Sequence, residues 1–274
     1  DVLNVMGLYP GDPGPPGGDC SGTVVAVGDG VKHIQVGDNV FGIAPGCLKT
    51  YVTTDANLVC KIPNGLTFEQ AAALPVVATT VEYSLKDIAN IKEGDNVLVH
   101  AVTGGVGLMV VQYCKAIGAK VYGTAGSESK VEYANSIGVE KVSSSRDADK
   151  FKEDMKELEG TIDIVVNSLI EDFIPNSLNL LKRGGCFIEL GKRGTWSEEE
   201  MKEKRPDVKY KRVAVDVMME EDPAWFGGML SRIKDGVERG EIQSLPLRIF
   251  DMRGKDENGI DAFRFMQRAQ HIGK

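Results

Sequence analysis

The run Val97-Leu98-Val99-His100-Ala101-Val102-Thr103-Gly104-Gly105-Val106-Gly107 constrains the fold of this chain more than any other segment. Its first residues are uninterrupted and apolar, as in a strand buried on both faces. The apolar spacing from Gly104 to Ile117 is that of a helix, and a second strand is predicted over 119–124. A glycine turn set between a strand and a helix is the context in which such a turn binds a dinucleotide. Gly104 and Gly105 let backbone pass close to a pyrophosphate, and Gly107 lets the helix pack tightly on the sheet. The helix start offers unpaired N–H groups and the positive end of its dipole to the phosphates. Thr103, Gly104, Gly105, Val106 and Gly107 are therefore candidate cofactor residues, with a merely structural turn as the alternative.

The second strand bears on which dinucleotide binds. Chains selective for NAD place Asp or Glu at its end, on the ribose hydroxyls. This chain instead reads Tyr122-Gly123-Thr124-Ala125-Gly126-Ser127, with Lys130 three residues on. No carboxylate there would repel a 2′-phosphate, and Ser127 and Lys130 can bind one, so the pattern predicts NADPH. A solvated lysine in the first turn of a helix is the bland alternative for Lys130.

Strand and helix alternate for about a hundred residues around this motif. Strands are predicted at 96–100, 119–124, 141–142, 162–167 and 186–190, and helices at 104–117, 129–137, 151–158 and 174–181. Such alternation implies a parallel sheet covered on both faces. The first sixty residues read differently. Val24, Val25 and Val27, then 36–42, then 48–59, are short glycine-punctuated strands, preceded by a Pro/Gly loop over 11–18. Thr67 caps a helical stretch that resumes from 76 to 91. The charged segment 198–212 reads as a solvated helix and loop, 213–218 as an apolar strand carrying Asp216, and 225–239 and 260–270 as amphipathic helices.

Composition removes several classes of function. Lys plus Arg is 32 and Asp plus Glu 40, a net charge of −8 that suits a general nucleic-acid binder poorly. The five cysteines are scattered and odd in number, which fits a reducing, cytoplasmic setting and no disulfide framework. The three histidines stand at no metal-ligand spacing, so no metal site is expected. No apolar stretch reaches bilayer length, and no leader pattern precedes the chain. Asp1 in place of Met, and a last helix that would lead into a strand, suggest a piece of a longer polypeptide.

A linked set of segments carries a resemblance that covers essentially the whole chain. Asp1-Val2-Leu3-Asn4-Val5-Met6-Gly7-Leu8-Tyr9-Pro10-Gly11, Leu74-Pro75-Val76-Val77, the turn over 100–107, Val166-Asn167-Ser168-Leu169, Glu189-Leu190-Gly191-Lys192 and Ala262-Phe263-Arg264-Phe265-Met266 occur in that order. Together they resemble the enoyl reductase domain of polyketide synthases. The animal fatty acid synthase reductase and the quinone oxidoreductases of the medium-chain dehydrogenase/reductase superfamily are more distant. The resemblance implies an α/β fold: a Rossmann-type doubly wound parallel sheet inserted in a partial GroES-like β-barrel substrate domain. It divides the chain into a substrate domain over 1–80, an NADPH-binding domain over 81–216 and a return to the substrate domain over 217–274. Zinc-dependent cousins carry Gly-His-Glu where this chain has Gly17-Gly18-Asp19, which agrees with a zinc-independent enzyme.

The activity so implied is NADPH-dependent reduction of the 2,3 double bond of an enoyl thioester on an acyl carrier protein, in polyketide or fatty acid synthesis. The thioester carbonyl activates the β-carbon for hydride, and the resulting enolate needs electrostatic support and a proton. Lys192, Asp216 and Tyr9 match the family's proton-delivery positions. Thr80, Asn167 and Ser168 match cofactor contacts, and Leu190 and Gly191 would lie beside the nicotinamide. Glu82 departs from the family pattern and is expected to face water. The implied partners are the phosphopantetheine arm of the carrier protein and neighbouring synthase domains, with a homodimer allowed and neither nucleic acid nor membrane. Two alternatives stand beside this reading: a free-standing quinone or alkenal reductase using NADPH, and a domain that binds NADPH without turnover.

Overall fold

The computed structural model describes every residue except Pro10, Pro13 and 254–257. Pro10 of the first family segment and Pro13 of the Pro/Gly loop thus lie outside the described residues. The chain divides into two compact units, Asp1–Thr79 with Val215–Lys274, and Thr80–Ala214.

The amino-terminal part of the first unit begins with a single helical turn, α1 (Val2–Val5), followed by β1 (Asp19–Thr23), β2 (Asn39–Ile43) and β3 (Val59–Lys61). The strands form an antiparallel sheet in the order β1-β2-β3, with Asp19 opposite Ile43 and Val40 opposite Lys61. Phe41 and Ile43 are its most buried side chains. The strand expected over Val24, Val25 and Val27 does not form. Only Val24 continues the pairing, through Asp38 and Gly37, and Val25 and Val27 are exposed. Thr67 caps α2 (Phe68–Ala72) through a reciprocal bond with Gln70. Next comes α3 (Pro75–Glu82), along which the chain passes from the first unit to the second. It continues as a π-turn over Tyr83–Ile88. Glu82, expected to face water, is 3% exposed and pairs with Lys86 at 3.1 Å. Glu82 ends α3 and Lys86 stands within the π-turn, so the pair spans the junction of the two.

The second unit alternates as the apolar periods require. In chain order its elements are β4 (Asn96–Val99), α4 (Gly105–Ile117), β5 (Lys120–Ala125), α5 (Glu128–Ser136), β6 (Lys141–Ser144), α6 (Ala148–Asp154), β7 (Ile162–Asn167), α7 (Phe173–Leu180) and β8 (Leu181–Glu189). Then follow α8 (Glu198–Lys204) and β9 (Lys209–Arg212). All six strands are parallel, in the order β6-β5-β4-β7-β8-β9. This is the doubly wound order with its switch point between β4 and β7, where such sheets bind ligands beyond the strands' carboxyl ends. Val97, Leu98 and Val99 are each at most 1% exposed, so the central strand is covered on both faces. One face packs Leu98 and Val165 against Phe151, Met155, Phe173 and Leu178.

Two expectations for the chain after α8 need correction. The tail of the charged segment is not a loop: Lys209-Tyr210-Lys211-Arg212 forms β9, an edge strand whose exposed lysines and arginine suit a strand with one unpaired side. The residues expected as a strand over 213–218 instead enter a helix, α9 (Val215–Glu221). Val213, Val215 and Val217 alternate like a strand, yet Val217 is 48% exposed. The inward pair is Val215 and Met219, at the i, i+4 spacing of one helix face. Helix α10 (Pro223–Glu238), started by an Asp222 cap, packs on β3, and α11 (Gly259–Gln267) packs near α1. Among the described residues no helix is long and apolar enough to cross a membrane.

Candidate active site

The glycine turn joins β4 to α4 at the switch point. Ala101 takes a left-handed backbone (φ 52°), uncommon for a residue with a Cβ and the kind of strain that collects at functional turns. It is held there by its N–H, which donates to Thr124 Oγ1 at 3.1 Å, and by its carbonyl, which accepts from Gly104 N at 2.9 Å. Gly104 is the N-cap of α4 and supplies no side-chain cap, so the opening N–H groups of a thirteen-residue helix are left to another acceptor. A Cβ on Gly107 would stand 2.5 Å from the carbonyl carbon and oxygen of Val102; only glycine lets the helix seat this deep. Thr103 is buried, and Gly104, Gly105 and Val106 are half-buried.

His100, just before the turn, is 3% exposed. Its Nε2 meets Ser177 Oγ at 2.9 Å and its Nδ1 meets Thr124 Oγ1 at 3.3 Å, with Phe151 and Phe173 edge-on to the ring. Burial pushes its pKa down to about 3, so the ring is neutral and structural.

Beyond β5, Ser127 is the N-cap of α5 and Lys130 sits half-buried in the first turn. Arg146, in the loop after β6, comes to the same corner: its Nε lies 3.1 Å from where a Cβ on Gly126 would stand. The Lys130 pKa is lowered, first by burial and then by the field of Arg146. Two cations converge where no carboxylate closes the strand. Arg146 is missing from the sequence reading, although a basic residue directly after the third strand of a doubly wound sheet lies beside the end of the second by topology alone.

On the other side of the switch point, Asn167 ends β7 fully buried, and Ser168 after it is exposed. The Asn167 amide donates to Leu169 O at 2.8 Å and to Glu189 Oε2 at 2.7 Å, and its oxygen accepts from Leu169 N at 3.2 Å. Leu190 and Gly191 follow β8 half-buried, and Lys192 after them is exposed. Thr80 is buried on α3.

Two of the three proton-delivery candidates meet in the first unit. The Tyr9 hydroxyl donates to Asp216 Oδ2 at 2.9 Å across 207 positions of sequence, with both residues half-buried. Asp216 stands in the first turn of α9 rather than in a strand, where the helix dipole favours a carboxylate. Lys192 belongs to the second unit.

Residues 1–64 match the Alcohol dehydrogenase GroES-like domain and residues 105–235 the family described as Zinc-binding dehydrogenase. The pikromycin polyketide synthase component PikAII of Streptomyces venezuelae is 38% identical over 278 residues, taking in all of this chain and 7% of that synthase. The chain thus spans only a small part of the synthase it matches. The crystal structure of CurK enoyl reductase is 36% identical, superposes with a TM-score of 0.88, and is matched over 100% of this chain and 85% of that one. The Escherichia coli quinone oxidoreductase solved with NADPH is 26% identical with a TM-score of 0.83, over 100% and 85%. The side chains present do not fit the zinc of the second family's description. Gly18 offers no ligand, Asp19 is taken by Val76 N at 2.9 Å and Lys274 Nζ at 2.5 Å, and among the described residues no three His, Cys, Asp or Glu side chains gather.

Proposed function

The chain belongs to the enoyl reductase domains of polyketide synthases, within the medium-chain dehydrogenase/reductase superfamily, and from that premise we propose that it reduces the 2,3 double bond of an enoyl thioester with NADPH. The observation that carries the cofactor half is the crevice itself: an uncapped α4 N-terminus at the switch point and the Lys130–Arg146 corner beyond β5. The main-chain N–H groups at Gly105, Val106 and Gly107 fit a pyrophosphate, and the two cations with Ser127 fit a 2′-phosphate. NADPH, when bound, supplies the hydride. Thr80, Ser168, Leu190 and Gly191 are the further contacts we assign to it.

The chain's own residues then handle charge and proton. Lys192 is an ammonium at the carboxyl end of β8, suited to stabilise the negative charge that collects on the thioester oxygen and to give a proton to C2. Tyr9 is the second donor. Asp216 fixes its phenol by accepting the O–H, and delivery requires that O–H to turn from Asp216 to C2. The substrate we assign is an acyl group on the phosphopantetheine arm of a carrier protein, among neighbouring synthase domains, because the relatives carry this domain within far longer chains.

The test follows loss of NADPH absorbance with a 2-enoyl pantetheine thioester beside a quinone. Preference for the thioester, lost in Lys192→Ala, upholds the proposal. The second reading, a quinone reductase, is favoured by the likeness to the bacterial quinone oxidoreductase, and preference for the quinone would establish it.

A further inference from the structure

Glu189 is the most buried carboxylate among the described residues, 1% exposed at the carboxyl end of β8, and no step above uses it. Its two oxygens hold different segments. Oε2 accepts from Asn167 Nδ2 at 2.7 Å, at the carboxyl end of β7, and Oε1 accepts from Gly191 N at 2.6 Å, in the loop after β8. The segments are also tied through backbone, Leu190 N donating to Asn167 O at 2.9 Å, and Glu189 O accepts from Val213 N at 2.9 Å. Asn167 relays the hold, since its amide group closes on both the N–H and the carbonyl of Leu169. The polar atoms of the Asn167 side chain are thus occupied by protein, which makes it a brace for its loop more than a ligand contact. Gly191 shows the same design from the other side. A Cβ there would stand 2.7 Å from Glu189 Oε1, so a side chain at 191 would displace the carboxylate from the Gly191 N–H.

Burying a carboxylate this completely is costly, and burial raises its pKa against the opposing effect of its N–H donors. A stability role alone would be met more cheaply by an apolar side chain. We propose that Glu189 is a positioning residue that braces the loops 167–169 and 189–191 into the one geometry in which they hold the nicotinamide half of NADPH. The inference rests on the cofactor reading above.

The test is Glu189→Gln, which keeps size and shape but sets an NH2 against one of two groups that already donate. Glu189→Asp, which keeps charge but withdraws the oxygens by one methylene, serves if the first variant misfolds. Three quantities are read: amide exchange at Leu169 and Gly191, affinity for NADPH, and affinity for 2′,5′-ADP, which carries only the adenosine end. The expected result is exchange about tenfold faster at those two amides and NADPH binding about tenfold weaker, with 2′,5′-ADP held as in the parent by Lys130 and Arg146. Equal weakening of both nucleotides, with faster exchange throughout the second unit, would overturn the proposal by making Glu189 an ordinary fold residue. Unchanged exchange and binding would overturn it outright. If the parent chain binds no NADPH, the cofactor reading fails. The brace is then upheld by faster exchange confined to the two loops and refuted by its absence.

Discussion

Acid should destabilise the second unit through His100, and the size of the effect follows from its surroundings. An unfolded chain protonates this ring with a pKa near 6.5, while the folded chain holds it neutral down to about 3. The folded pKa is lowered, so the stabilisation is fully present above pH 6.5 and is lost as pH falls toward 3. At pH 5 the unfolded ring is protonated about thirty times over and the folded ring scarcely at all, a linkage loss of about 2 kcal/mol relative to pH 7.5. The figure hardly depends on the native pKa, because at pH 5 the native ring is still neutral whether it titrates at 3 or at 4. His100→Gln, which cannot titrate, should lose about 2 kcal/mol less than the parent between the two pH values. Urea unfolding followed by Trp196 fluorescence in a Trp225→Phe background reports on the second unit alone, since the chain has two tryptophans. Parallel losses in parent and variant would refute the argument.

Arg146→Ala and Lys130→Ala should each weaken NADPH binding about tenfold or more and leave NADH nearly unchanged; a constant NADPH-to-NADH affinity ratio would remove both from the 2′-phosphate site. Gly107→Ala should cost about 1–3 kcal/mol in thermal or urea unfolding and abolish NADPH binding, because the new methyl meets the Val102 backbone and not a movable side-chain end. Tyr9→Phe should fold normally and lower turnover of the enoyl thioester, while Lys192→Ala lowers it by the larger factor. If Tyr9→Phe alone abolishes turnover, the order of the two donors is reversed.

Local pattern carried the sequence reading furthest where a single segment determines its own structure. The strand–turn–helix at β4 and α4, the Thr67 cap and the parallel alternation through β8 each rest on periodicity or on contacts within a few residues, and they form in the expected order, although β8 starts at Leu181 and not at 186 and α6 covers Ala148–Asp154 and not 151–158. The failures share another cause. Val213, Val215 and Val217 have the alternation of a strand, yet whether an apolar residue points inward depends on what the chain packs against once it leaves Arg212. The face that is covered is the helical one, Val215 with Met219. Glu82 belongs with them: Lys86 stands one turn on in the helix expected over 76–91, but which face of that helix is covered is fixed by packing that local pattern does not contain.

The same distinction separates the residues that hold a ligand from those that hold the site. Glycines and a terminal lysine announce themselves, since backbone approach and positive charge are chemical requirements written at one position. Arg146 and Glu189 reach their proposed places only through strand order: β6 must lie beside β5 for Arg146 to reach Gly126, and β8 beside β7 for Glu189 to reach Asn167, 22 positions earlier. Glu189 ends a run of buried apolar residues, Cys186-Phe187-Ile188, where a carboxylate has no business unless donors wait for both its oxygens. Once the strand order is known, that conflict between residue type and burial becomes the signal. A charged residue closing an inner parallel strand should be searched for a brace between the loops on either side, before it is set down as a surface group.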